Sequence, residues 1–192
     1  MHAERERLLQ MRAADESLRT ELAGLGQLHA GYHPAMQRVH TANAQALGDI
    51  IDRHGWPTEA LVGADGAEAA WLVAQHAIGE PAFMRRCRSL IDEASARARV
   101  PRWQFAYLDD RIRVFEGGLQ RHGTQVDLRP DGAFALALEG EFAEVDARRR
   151  DVGLRPLAEH LQAAGAGTRP TAEEHRARQA AEEAWRRQLG WI

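Results

Sequence analysis

"DGAEAAWLVAQHAIGEP", residues 65–81, decides how the rest of the chain is read. Asp65 followed by Glu68 has the spacing of a helix-opening capping box, and Gly79 with Pro81 supplies a stop. Between them, residues 67–78 are apolar on nearly every side, so this helix is expected at the centre of the fold. Beyond Glu68, two of its side chains are polar. His76 shares a face with Ala69, Leu72 and Val73, while Gln75 falls with Trp71 and Ile78, so the two are expected to point apart. His76 also stands in the last turn, where the carbonyl end of a helix favours a protonated imidazole. It is either a satisfied core histidine or an acid–base group, and the helix alone leaves both open.

Helices are expected on both sides of this one. Leu8, Leu9, Met11, Leu18 and Leu22 give residues 3–23 a narrow apolar stripe ended by Gly24 and Gly26. Pro34 opens a second helix whose buried side carries Met36, Val39, Leu47, Ile50 and Ile51, closed by "HGWP". Asn43 interrupts that stripe, and a buried amide there is a tie to backbone or part of a site. Residues 80–97 place Phe83, Cys87, Leu90, Ile91 and Ala94 on one face. The spacing of Phe105, Leu108, Ile112 and Phe115 makes "WQFAYLDDRIRVF" a helix, with Tyr107, Asp110 and Arg111 on an adjoining face.

Gly117 and Gly118 break the pattern. "TQVDL" and "AFALAL" then flank the turn "RPDG", which predicts one small β-hairpin near residues 124–138 with Phe134, Leu136 and Leu138 inward. The small Ala133, Ala135 and Ala137 opposite would leave room for a ligand or for close helix packing. A short charged helix and an amphipathic turn or two follow. After the Gly165 to Gly167 linker, Thr171 and Glu174 form a capping box for a final helix to about Leu189. The expected class is mainly α: one compact helical domain over residues 1–164, then a linker and an amphipathic helix over 165–192. That last helix, with Trp185 among alanines, is open to docking on the body, to pairing with another copy as a homo-oligomer, or to staying mobile, and the residues do not decide.

Composition removes several function classes. A net charge of −3 offers no general attraction to phosphate backbones, so nucleic acid is not an expected partner. All basic side chains are arginine; without a lysine there is neither Schiff-base chemistry nor a Walker-type phosphate loop. No apolar run reaches the ~20 residues of a membrane helix, and the charged start lacks the apolar core of a secretory signal. A soluble cytoplasmic protein with no membrane partner is expected. The lone Cys87 forms no internal disulfide and reads as a packed thiol.

Several stretches taken in order, "DESLR", "GWP", "AWLVAQHA", "AYLDDRI", "QRHGTQ" and "VDARRRDVGLRPLAEHL", resemble a widespread bacterial family of unknown function. Its signature runs Gly-Trp-Pro, Gln-His-Ala, Ala-Tyr-Leu-x-Asp-Arg and Gln-x-Tyr-Gly-Thr-Gln, and the likeness covers residues from about 10 to 162. The resemblance points at Gln75, His76, Tyr107, Asp110, Arg111, Gln120, Gly123, Thr124 and Gln125. His122 stands here for the usual tyrosine, and His40 for an aspartate three residues before Asn43. Polar side chains retained in a buried setting each cost ~1–3 kcal/mol if unpaired, so a shared interior network is expected.

Three functions compete. The first is an enzyme acting on a small anionic or amide-bearing molecule by water-mediated hydrolysis, elimination or cyclisation, with no Ser or Cys nucleophile and no cofactor. In it His76 is general acid or base, Asp110 orients it or a bound water, and Arg111 clamps a carboxylate or phosphate. Gln75, Tyr107, Gln120, His122, Thr124, Gln125 and Asn43 complete a polar pocket for substrate. The second is a ligand-binding or partner-binding protein without chemistry. The third is a metal site drawn from His40, His76, Asp110 and His122, for which the chain has no HExxH or CxxC spacing.

Overall fold

A computed structural model describes residues 2–28, 31–165 and 169–192. It is mainly α, with eight helices and one two-stranded antiparallel hairpin among those residues. The helices are α1 (His2–Gly24), α2 (Pro34–His54), α3 (Glu59–His76), α4 (Pro81–Ala96), α5 (Arg102–Phe115), α6 (Phe142–Asp151), α7 (Leu157–Ala164) and α8 (Ala172–Gln188). The strands β1 (Asp127–Leu128) and β2 (Phe134–Ala135) lie between α5 and α6, paired Asp127 to Ala135 and Leu128 to Phe134.

The all-round apolar helix is central, as its composition requires: α3 packs against α1, α2, α4 and α5. Ala69, Ala70, Val73 and Ala74 are buried against Leu8, Leu47, Ile50, Met84, Ile91 and Leu108. Small residues on α3 let its neighbours approach closely, which is how one short helix serves four partners.

Its beginning differs from the expectation. The chain is already helical from Glu59, and Gly63, at φ 76°, kinks it before Asp65 is reached. Asp65 accepts from the Gly66 N–H at 2.9 Å and from Arg5 Nε at 2.8 Å, while Glu68 meets Arg12. The supposed capping box is therefore a tie from α3 to α1. The box at Thr171 and Glu174 is formed as read, with both reciprocal bonds.

Phe134, Leu136 and Leu138 are half-buried, whereas Ala133 and Ala137 are exposed; those alanines line no interior space. Cys87 is fully buried, and desolvation pushes its thiol up to about 12, which leaves it inert at neutral pH.

α8 is docked on the body. Trp191 joins the main core and donates its indole N–H to the Ile78 carbonyl at 2.8 Å. Trp185 meets Phe115 edge-on at 5.3 Å, and Arg186 donates to the Phe115 carbonyl at the end of α5 at 2.7 Å. Of the expected linker, Ala166 and Gly167 lie outside the described residues.

Candidate functional site

α1 carries Leu8, Met11, Leu18 and Leu22 inward, and the position that completes their three-and-four spacing is Asp15. A carboxylate in an apolar stripe is fully buried here. Two imidazoles reach it. His76, at the end of α3, places Nδ1 2.7 Å from Asp15 Oδ2, and His40, on α2, places Nε2 3.4 Å from the same oxygen. The imidazole rings lie 5.5 Å apart. The other nitrogen of His40 hydrogen-bonds the Tyr32 hydroxyl at 2.9 Å, and the Tyr32 ring stacks on it.

Burial would raise the Asp15 carboxyl, but the two imidazoles outweigh it and hold the group well below the usual carboxylate range. For His76, desolvation is the largest influence and lowers it, against the pull of Asp15; the nearby Arg111 charge lowers it further. Tyr32 is pushed up, first by burial and then by Glu80, so it stays a neutral phenol.

Arg111 comes to this cluster from α5. Its NH1 donates to the Gln75 carbonyl at 2.9 Å and its Nε to Gln125 Oε1 at 3.0 Å. Among the described residues it has no carboxylate partner, and the charge it feels most is another cation, Arg19, one helical turn beyond Asp15 on α1. Burial and then Arg19 push it down to about 10, which still leaves it cationic at neutral pH. The side-chain N–H2 of Gln75 is buried without a partner, as are Asp15 Oδ1 and His40 Nε2.

The "QRHGTQ" loop forms a second network. Asp110, fully buried on α5, accepts from the backbone N–H groups of Arg121 (2.8 Å), His122 (3.2 Å) and Thr124 (3.0 Å), and from the Thr124 hydroxyl at 3.1 Å. Gln120 closes the loop on itself: its Nε2 donates to the Gln125 carbonyl and its Oε1 accepts from the Gln125 N–H, both at 2.8 Å. From α6, Arg148 donates to the Arg121 carbonyl at 2.7 Å, and the buried Arg149 reaches the His122 carbonyl. Gly123 supplies the turn at φ 61°. Burial alone would raise the Asp110 carboxyl; His122 and the loop N–H groups hold it below its ordinary value instead.

The residues expected to form one pocket are thus divided, with Arg111 touching both parts. The carboxylate that meets His76 is Asp15, not Asp110, because Asp110 is turned into the loop. Gln120 and Thr124 are committed to loop bonds, and the His122 ring lies beside Asp110 at 3.7 Å with its Nδ1 unpaired. Asn43 is the backbone tie, donating to the Met11 carbonyl at 3.1 Å. Tyr107 belongs to an aromatic group with Trp71 and Trp103, at 6.2 and 6.1 Å. The supposed ligand set His40, His76, Asp110 and His122 is split between the two networks; the atoms that converge, within 4.8 Å of one another, belong to Asp15, His40 and His76. Asp15, Tyr32 and Arg149 were missed, although the break in the apolar stripe marks Asp15. A surface depression of about 400 Å³ on the α4–α5 side is lined by charges that pair among themselves, Arg88 and Arg113 on Asp109, and lacks the cluster's residues.

No helix among the described residues is long and apolar enough to cross a membrane. No curated protein and no solved structure matches the chain. One family model does, over residues 3–166, a span that includes Asp15, His40, His76, Arg111 and the whole Asp110 loop and stops before α8. Both networks therefore lie within the part of the chain that belongs to the Family of unknown function (DUF6624).

Proposed function

We propose that this chain is an enzyme acting on a small anionic or amide-bearing molecule by water-mediated chemistry, centred on Asp15, His40, His76 and Arg111. The observation that carries the reading is the uncompensated Arg111. A half-buried guanidinium beside a second arginine and without a carboxylate is costly unless an anion completes it. Arg111 is the clamp, and Arg19 adds attraction from the rim. The Asp15 cluster, one side of which reaches solvent through His76, supplies the polar groups that hold and polarise a water.

The proposal includes a reducing, cytoplasmic setting in which Cys87 stays a thiol. Pairing of two copies through α8 has less support, since its tryptophan already faces the body.

A thermal-shift screen of phosphate, small carboxylates and amides tests the reading. Wild type should be stabilised by at least one class, and Arg111→Gln should weaken that binding at least tenfold. Equal response from Arg111→Gln, or no response to any class at millimolar concentration, would remove it.

A further inference from the structure

We infer that Asp15, His40 and His76 form a binding site for one divalent transition-metal ion of the zinc class. The inference rests on the reading that this cluster is the reaction centre, and it names the group that polarises the water.

Four features of the geometry lead there. The three side chains arrive from three different helices, α1, α2 and α3, and present their donor atoms within 4.8 Å of one another. A tetrahedral ion with bonds of about 2.0–2.1 Å sets its ligand atoms roughly 3.3 Å apart. The observed separations from Asp15 Oδ2, 2.7 Å to His76 Nδ1 and 3.4 Å to His40 Nε2, bracket that value. Asp15 Oδ1 and His40 Nε2 are both buried, on residues that are 0% and 7% exposed; the oxygen has no hydrogen-bond partner, and the nitrogen has only the long 3.4 Å contact to Asp15 Oδ2. In the tautomer whose Nδ1–H is given to the Tyr32 hydroxyl, His40 Nε2 presents a lone pair beside the unpaired Asp15 oxygen, and a cation takes both.

The surroundings fit as well. Metal-bound histidines commonly hydrogen-bond through their second nitrogen, which fixes ring and tautomer. His40 does so through Tyr32, whose phenol is held in turn against Gly79, where an added Cβ would come within 3.4 Å of the hydroxyl. Two imidazoles and one carboxylate leave a further coordination position for water, as catalytic rather than structural sites do. His76 keeps 18% of its side chain exposed, so that side of the cluster is open. An anion bound by Arg111 would be neighbour to that water.

Zinc titration by calorimetry on tag-free, chelator-treated full-length protein tests the site, with Co²⁺ absorption as a second readout of N/O coordination. One ion per chain is expected, with binding weakened at least tenfold in His40→Ala, His76→Ala and Asp15→Asn and unchanged in His122→Ala. Circular dichroism on each variant identifies any that fails to fold; His40→Gln and His76→Gln then take the place of the alanines. No stoichiometric zinc, or affinity unaltered in the folded variants, would overturn the inference. Repeating the anion screen on chelator-treated wild type separates the two readings: Arg111-dependent binding without zinc binding removes only the metal, and zinc binding without Arg111-dependent anion binding removes only the proposed function.

Discussion

The Asp110 loop and the Asp15 cluster both contain a fully buried carboxylate with a histidine beside it, and they treat those groups in opposite ways. Around Asp110, three backbone N–H groups and one hydroxyl point at the carboxylate, Gln120 closes on Gln125, and arginines from α6 take the loop carbonyls. Around Asp15, one carboxylate oxygen and one imidazole nitrogen are unpaired, and the arginine nearby has no counter-charge among the described residues. A network whose members satisfy one another holds a fold together; one that leaves donors and acceptors open has room for something else. What separates the two regions is the carboxylate itself: both oxygens of Asp110 are hydrogen-bonded, although His122 Nδ1 and Arg121 Nε beside it are not, whereas Asp15 Oδ1 is left open.

The comparison is most exposed to a pair of substitutions. Asp110→Ala strands the buried N–H groups of the loop and should cost about 3–5 kcal/mol in chemical denaturation, since each stranded donor costs ~1–3 kcal/mol. Asp15→Asn keeps the shape but gives up a carboxylate that the two imidazoles depress, and should cost about 1–3 kcal/mol, less than the loss of the whole Asp110 side chain. Equal losses would erase the distinction between the regions.

Acid tests the loop carboxyl next, and the depressed Asp15 should respond in the same direction. Because the folded loop depresses the Asp110 carboxyl, its contribution to stability is fully present above the ordinary aspartate value of about 3.9 and is lost as pH falls through the folded value. Urea midpoints measured from pH 6 downwards should fall less steeply for Asp110→Asn than for wild type.

Gly123→Ala probes how tightly the loop is set. A left-handed backbone disfavours a Cβ by about 1–2 kcal/mol, and here it would also lie 3.0 Å from Leu157 and 3.1 Å from Leu138. A thermal midpoint unchanged by this substitution would show the loop to be softer than its bonds suggest. The smallest stability effect is expected for Arg111→Gln, within about 1 kcal/mol, because removing an uncompensated, half-buried charge offsets the two hydrogen bonds lost. Its consequence should appear instead as the loss of anion binding.

Much of this was legible in the chain. The apolar run of 67–78 named the central helix, the Phe105, Leu108, Ile112 and Phe115 spacing named α5, and "RPDG" named the hairpin turn. At the start of α3 the helix does resume beside Asp65 after Gly63 breaks it, but Asp65 and Glu68 turn to the α1 arginines Arg5 and Arg12 instead of forming a reciprocal cap. His76 and Arg111, read together, do stand near each other, but the carboxylate assigned to them was Asp110, one residue from Arg111 in sequence. Adjacent helical residues point about 100° apart, so nearness in sequence was the wrong guide.

The sequence by itself determined the helices, their order and which faces they bury, because a period of 3.6 is written into neighbouring residues. It also placed a carboxylate at position 15 of an apolar stripe, where some partner was required. Only the tertiary structure decided that the partners are His40 and His76. Contacts between residues 61 positions apart depend on how α1, α2 and α3 cross, and that crossing is set by the combined packing of all three helices rather than by any local pattern.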